Sequence, residues 1–281
     1  MAIRIDAHQH FWKYNTNDYG WMGPGMEILK KDYLPEDLRP VLQSTGMDGT
    51  IAVQARQTLE ETRWLLELAR NYPFIKGVVG WVDLSSDKAA EQLARFNKEP
   101  AFVGVRHVLH DEPDDRFMLR EEFLRGIKAL KDYKLTYDVL IFPKHVPVAY
   151  EMVKKIPQQP FVIDHIAKPF IKKRQLSPWD KDIKKLASCR NVYCKISGMV
   201  TEADWKSWQY SDFEPYLDII FEAFGAERIM IGSDWPVCTV SAPYNKVMEI
   251  VFSYVGKLTA TEQNRILGEN AVKFYQIQHE Q

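Results

Sequence analysis

Eight short β-type runs, each followed by a stretch patterned as helix or loop, recur along this 281-residue chain, and nothing else in it narrows the fold as much. Strands are predicted at Ile3 to His8, Thr50 to Ala55, Ile75 to Val82, Phe102 to Val108, Thr136 to Phe142, Phe161 to His165, Val192 to Ser197 and Arg228 to Ser233. Strands that alternate with helices pair in parallel through right-handed crossovers, and eight such units match closure into a (β/α)8 barrel. Barrels of this kind form one domain at about this length, so residues 1–281 are expected to be a single α/β TIM-type barrel. After the first strand stands Asp6-Ala7-His8-Gln9-His10 rather than a GxGxxG or Walker loop, which disfavours a doubly wound nucleotide-binding sheet.

Local signals mark the connections. Thr58-Leu59-Glu60-Glu61 is a capping box that opens a helix carrying Trp64, Leu65, Leu68 and Ala69. Ser211 to Glu214 is read the same way, with Gly225 as its stop, and Ser177-Pro178 as N-cap and first-turn proline. The long aromatic segment from Phe11 to Lys31 is expected to cover the mouth of the barrel.

The 37 basic and 38 acidic residues nearly cancel without long runs of one sign, which argues against nucleic acid or an anionic membrane as partner and favours a small neutral molecule. Cys189, Cys194 and Cys238 have no CxxC spacing and read as buried thiols. With no basic-then-apolar leader and no run near ~20 apolar residues, the chain is expected in the cytoplasm and off the membrane.

Barrel active sites lie at the C-terminal ends of the strands, so polar residues closing each apolar run carry the information. Period-two geometry puts Asp6, His8 and His10 on one face, an arrangement suited to metal ligation or proton transfer. The sixth run ends on His165 and the eighth is followed by Asp234, each able to move a proton. Gln54 and Arg56 are expected to face the lumen while Ile51, Val53 and Ala55 face the helices. Arg106, with a planar fork for carbonyl or carboxylate oxygens, is the first candidate for substrate binding. Trp12, Trp21, Trp81 and Trp235 fall near strand ends or the mouth loop, where an indole either covers a sugar ring or packs in the core. His107, His110, His145 and His279 are read as structural or exposed.

Five stretches together resemble the lactonase branch of the amidohydrolase superfamily. They are Asp6-Ala7-His8-Gln9-His10-Phe11-Trp12, Gly104-Val105-Arg106-His107, Asp164-His165-Ile166-Ala167-Lys168-Pro169, Lys195-Ile196-Ser197-Gly198 and Gly232-Ser233-Asp234-Trp235-Pro236-Val237. The resemblance implies that Asp234 takes a proton from water, that His165 lies beside that water or the ester oxygen, and that Lys168 and Lys195 lie near the substrate. It implies hydrolysis of a sugar lactone, L-fuconolactone first, to the aldonic acid. Gln54, Arg56, Arg106, Trp12, Trp81 and Lys168 are the expected substrate contacts.

The chain departs from many metal-dependent members, since strand four offers Arg106 and strand five lacks a histidine. His8, His10, His165 and Asp234 remain as ligands if a single divalent ion, zinc, is bound, and a reactive ester does not strictly demand one. A pyrone dicarboxylate lactonase, a metal-dependent decarboxylase and a non-catalytic sugar-binding barrel are the rivals. No GxSxG elbow supports a serine esterase.

Overall fold

Runs rich in Val and Ile that are apolar on both faces cannot sit at a solvent edge, and here all eight are enclosed. The computed structural model describes residues 2–277. It contains strands β1 (Ile5–Gln9), β2 (Gly49–Val53), β3 (Ile75–Gly80), β4 (Phe102–Val108), β5 (Thr136–Leu140), β6 (Phe161–Ile163), β7 (Val192–Ile196) and β8 (Ile229–Ile231). They form one parallel sheet in sequence order, and helices separate them. The sheet closes between β8 and β1 through residues just beyond β8: the Asp234 amide donates to His8 O (2.8 Å) and the His10 amide to Trp235 O (2.7 Å).

Two apolar clusters divide the interior. Ile5, Ala7, Ile51, Val53, Val79, Val103, Val162 and Met230 meet across the lumen, and Phe274, Tyr275 and Ile277 of the C-terminal segment pack with them. The larger cluster, with Ala52, Val78, Val105, Val139, Ile163 and Ile231, lies between sheet and helices. The β2 faces are therefore the reverse of the period-two expectation: Ile51 and Val53 look inward.

A register shift in β1 between Asp6 and Gln9 corrects a second expectation. An extra residue breaks strict alternation, so Asp6 does not share the lumen with His8 and His10. Its carboxylate instead accepts from Ser233 N (2.9 Å), Ser233 Oγ (2.6 Å) and Tyr244 OH (3.1 Å), and ties β1 to β8 and the helix Tyr244–Val255.

Thr58 caps the helix Leu59–Asn71 as expected, its hydroxyl accepting from Glu61 N (3.1 Å), but the reciprocal bond is absent. The Glu61 carboxylate turns back to the end of β2 and accepts from Ala55 N (3.0 Å) and Arg56 N (2.7 Å). Ser211 lies in a 3-10 turn, and Phe213 precedes the helix Glu214–Phe224, which does end at Gly225. Pro178, not Ser177, occupies the N-cap of Trp179–Ala187. In both corrections the chain turns once more before the helix begins, a tertiary choice that local pattern does not encode.

The segment from Phe11 to Lys31 lies over the barrel mouth. Trp12 and Tyr33 exchange backbone hydrogen bonds (3.0 and 2.9 Å), and the Trp12 indole donates to Lys31 O (2.9 Å). No helix among the described residues is long and apolar enough to cross a membrane.

Candidate active site

Three imidazoles from two strand ends meet one carboxylate. Nε2 of His10, His165 and His8 lies 3.3, 3.8 and 3.9 Å from Asp234 Oδ1. The opposite ring nitrogen of each histidine is held from behind. His10 Nδ1 is 2.8 Å from Val53 O, His165 Nδ1 is 2.9 Å from Ser197 Oγ, and His8 Nδ1 is 3.3 Å from Asp164 Oδ1. A carbonyl only accepts, so His10 Nδ1 carries a proton. His8 has a cationic donor on each side, Arg106 Nη1 3.4 Å from its Nε2 and Lys195 Nζ 3.2 Å from its Nδ1.

The backbone is bent to reach this arrangement. His165, Ile166, Ala167 and Lys168 hold φ of 54, 49, 60 and 51°, and Asp234 holds 59°. Left-handed conformations in non-glycine residues cost about 1–3 kcal/mol each and persist only where surroundings enforce them. Enforcement comes from Ile166 and Ala167, both fully buried, and from the Trp179 indole donating to Ile166 O (2.8 Å). Gly198 permits the fit: a Cβ there would lie 2.4 Å from His165 Nδ1. Gly232 likewise lets β8 approach His8, since its Cβ would lie 2.6 Å from that of His8.

Electrostatics follow from burial. Desolvation pushes His8 and His165 well below the ordinary imidazole range, so both are neutral and able to offer lone pairs. For Asp234, burial pushes the carboxyl up, but His165, His10 and Lys168 together outweigh it and hold the group below its ordinary value. It is ionised at neutral pH.

Beneath His8 runs a fully buried charge network. Lys195 Nζ bonds Asp138 Oδ2 (2.5 Å), lies 3.0 Å from Asp164 Oδ1 and 3.2 Å from His8 Nδ1. Asp164 Oδ2 also accepts from Arg106 Nη1 (3.1 Å). Two cations and two anions cancel, and removing one member of such a set typically costs about 3–5 kcal/mol.

Above these groups opens a cavity of about 300 Å³. His10, Arg106, His165, Lys168, Asp234 and Trp12 line it, as does Trp21 from the mouth segment. Of the other expected contacts, Gln54 is fully buried and acts on Arg106, its Oε1 accepting from Nε (3.0 Å) and Nη2 (2.8 Å). Arg56 stands outside the cavity, paired with Asp18 at 3.2 Å. Trp81 is turned away, its indole donating to His107 Nδ1 (3.2 Å), and Trp235 packs against Phe11 and Tyr33. Arg56 lies three residues past the end of β2, where its backbone amide is held by the Glu61 carboxylate and the chain turns toward the next helix.

The wall also holds His110, which the sequence placed as structural or exposed, and three groups absent from that expectation, Asp111, Glu202 and Trp205. Glu202 pairs with Lys168 at 2.9 Å. His110 follows β4 directly, and that position was the available signal; Glu202 and Trp205 lie in a connection without periodicity. Among the other histidines read as structural, His107 stacks on Phe117 and His145 is buried against Asp115, while His279 falls outside the described residues. Cys194 and Cys238 are buried and Cys189 partly so.

Comparison with known proteins agrees with this geometry. A family model described as Amidohydrolase matches residues 5–277. The chain is 39% identical to an L-fucono-1,5-lactonase of Burkholderia multivorans over 98% of this chain and 97% of that protein. It is 35% identical to an L-fucono-1,5-lactonase of Burkholderia ambifaria over 99% and 97%. Its structure is similar to that of an amidohydrolase from Burkholderia multivorans with bound zinc, at a TM-score of 0.96 and 38% identity, covering 99% of this chain and all of that one.

Proposed function

The chain belongs to the amidohydrolase family, and from that premise we propose that its cavity hydrolyses a sugar lactone, L-fucono-1,5-lactone foremost, to the open aldonic acid. The observation that carries the mechanism is the gathering of three Nε2 atoms on Asp234 Oδ1 at the base of an indole-walled cavity. The imidazoles approach one carboxylate oxygen, which leaves Oδ2 uncommitted to them. Asp234 takes a proton from water as it adds to the lactone carbonyl, then returns it to the ring oxygen as that C–O bond breaks. His165, fixed by Ser197, orients the water. Arg106, locked by Gln54 and Asp164 before substrate arrives, faces the developing oxyanion without reorganising.

Three imidazole nitrogens and one carboxylate oxygen form a donor set that suits zinc. Held by His8, His10, His165 and Asp234, the ion would withdraw charge from the lactone carbonyl.

Cavity charge discriminates against a dicarboxylated pyrone. Arg106 is balanced by Asp164 and Lys168 by Glu202, so the wall offers no surplus positive charge to match two substrate carboxylates. A neutral polyol ring asks only for the acceptors and donors already on the wall, with Trp12 and Trp205 for its apolar face.

A pH-indicator assay across L-fuconolactone, L-rhamnonolactone, galactonolactones and the pyrone dicarboxylate tests this. L-fuconolactone should show the highest kcat/KM. Failure to open any sugar lactone faster than buffer removes the reading.

A further inference from the structure

We propose that Tyr275, from the far end of the barrel, is a positioning residue for His8, acting through Asp138 and Lys195. The inference rests on the hydrolytic reading above and extends it to residues that never meet substrate.

The lumen below His8 is otherwise hydrocarbon, lined by Ile5, Ala7, Ile51, Val53, Val79 and Val162. Into it the fold inserts Asp138 and Lys195, both fully buried and both outside the cavity wall. Well-packed apolar residues would suit such a place at least as well energetically, so stability alone does not account for an ion pair there.

The contacts run in one line. The Tyr275 hydroxyl donates to Asp138 Oδ2 at 2.8 Å, the oxygen that also receives Lys195. Asp138 Oδ1 has no hydrogen-bond partner, so Tyr275 and Lys195 are its whole polar environment among the described residues. The same ammonium is 3.0 Å from Asp164 Oδ1 and 3.2 Å from His8 Nδ1. Asp164 Oδ1 lies 3.3 Å from the same His8 Nδ1, while the opposite nitrogen, Nε2, faces Asp234 at 3.9 Å.

Tyr275 itself is anchored by packing in the lumen cluster with Phe274, and its ring centroid lies 5.6 Å from Lys195 Nζ. Burial already pushes the Asp138 carboxyl up. Without the phenol donor the acid goes neutral more readily, and Lys195, losing its counter-ion, is drawn onto Asp164. The ammonium then leaves its place 3.2 Å from His8 Nδ1, and the ring loses the contact that holds it from below.

Tyr275→Phe keeps the ring and removes only the donor. Groups that orient metal-binding histidines typically change affinity by about 10–100-fold. A zinc titration of the full chain against a chromophoric chelator should show a loss of about tenfold, with kcat lowered similarly and KM little changed. Asp138→Asn should reproduce it, and the double variant should be no worse than the stronger single one, as expected for one path. Phe274→Leu, in the same cluster but without a polar link, should lower the melting temperature while zinc affinity and kcat stay put. Unchanged zinc affinity and kcat in Tyr275→Phe overturns the proposal, as do losses that multiply in the double variant. Should wild type bind zinc but open no lactone, the catalytic reading fails while the titration still decides the coupling.

Discussion

The amide of Asp234 donates to the carbonyl of His8 across 2.8 Å, so the seam that closes the barrel also sets the eighth-strand carboxylate against the first-strand imidazoles. Closure and site assembly are one event. The carboxylate is held by backbone rather than by a rotamer choice, and its left-handed φ of 59° is the conformation through which the chain turns to face the cavity. Substitutions at the seam are therefore expected to act on activity before they act on fold.

Asp234→Asn is the direct case. The amide preserves shape and the backbone bond to His8, but it cannot take the proton from water. Loss of a general base typically costs on the order of 10²–10⁴ in turnover, so kcat should fall by that factor while the melting temperature moves little. Lactone turnover and thermal unfolding of the same preparation check both halves, and undiminished kcat would remove Asp234 from the role.

Gly198→Ala separates strain from steric demand. Both Gly198 and Gly225 hold positive φ, 60° and 66°, so alanine at either should cost about 1–2 kcal/mol of stability. Only at Gly198 does the new Cβ meet something, 2.4 Å from His165 Nδ1, whereas nothing lies within 4 Å at Gly225. Gly198→Ala should therefore lose most of its kcat as His165 is displaced from Ser197, and Gly225→Ala should keep it. Equal activity in the two variants would dissociate His165 placement from catalysis.

Much of this site was legible in the residues, and the parts that were not share a cause. Eight strands, the inward turn of His8 and His10, and the convergence of His165 and Asp234 followed from strand ends in a parallel barrel. The facing of β2 did not, because alternation gives two faces without saying which one is inward, and the direction of Asp6 did not, because an extra residue in β1 breaks the period-two rule. Asp138 was passed over for not being histidine, although alternation along β5 places it two residues before Leu140 of the cavity wall. Arg56 lies three residues past the end of β2 and Trp81 one past the end of β3, where periodicity no longer predicts direction.

Glu61 offers a test of burial energetics away from the chemistry. Desolvation raises its carboxyl from 4.5 to about 7, despite the amides of Arg56 and Ala55 that favour the charge. A carboxyl whose folded value exceeds its unfolded one favours folding only while protonated. Its contribution is complete below the unfolded value of 4.5 and is lost as pH rises through about 7. At about 1.4 kcal/mol for each tenfold change in proton affinity, the rise from 4.5 to about 7 sets a ceiling of roughly 3 to 4 kcal/mol. Glu61→Gln does not titrate, so chemical denaturation should find wild type losing stability relative to this variant between acid and neutral pH. A constant difference across that range would show the carboxylate to be better solvated than its burial implies.

Metal removal bears on how the oxyanion is stabilised. Arg106 Nη1 lies 3.4 Å from His8 Nε2 and is fixed by Gln54 and Asp164. That guanidinium remains when an ion leaves, as does the ionised Asp234. A lactone is also a more reactive electrophile than an amide. Chelation followed by gel filtration should accordingly lower kcat by less than Asp234→Asn does, with zinc restoring the difference. Metal content measured alongside turnover decides it: a fully stripped enzyme with activity as low as Asp234→Asn would mean that Arg106 cannot carry the oxyanion alone.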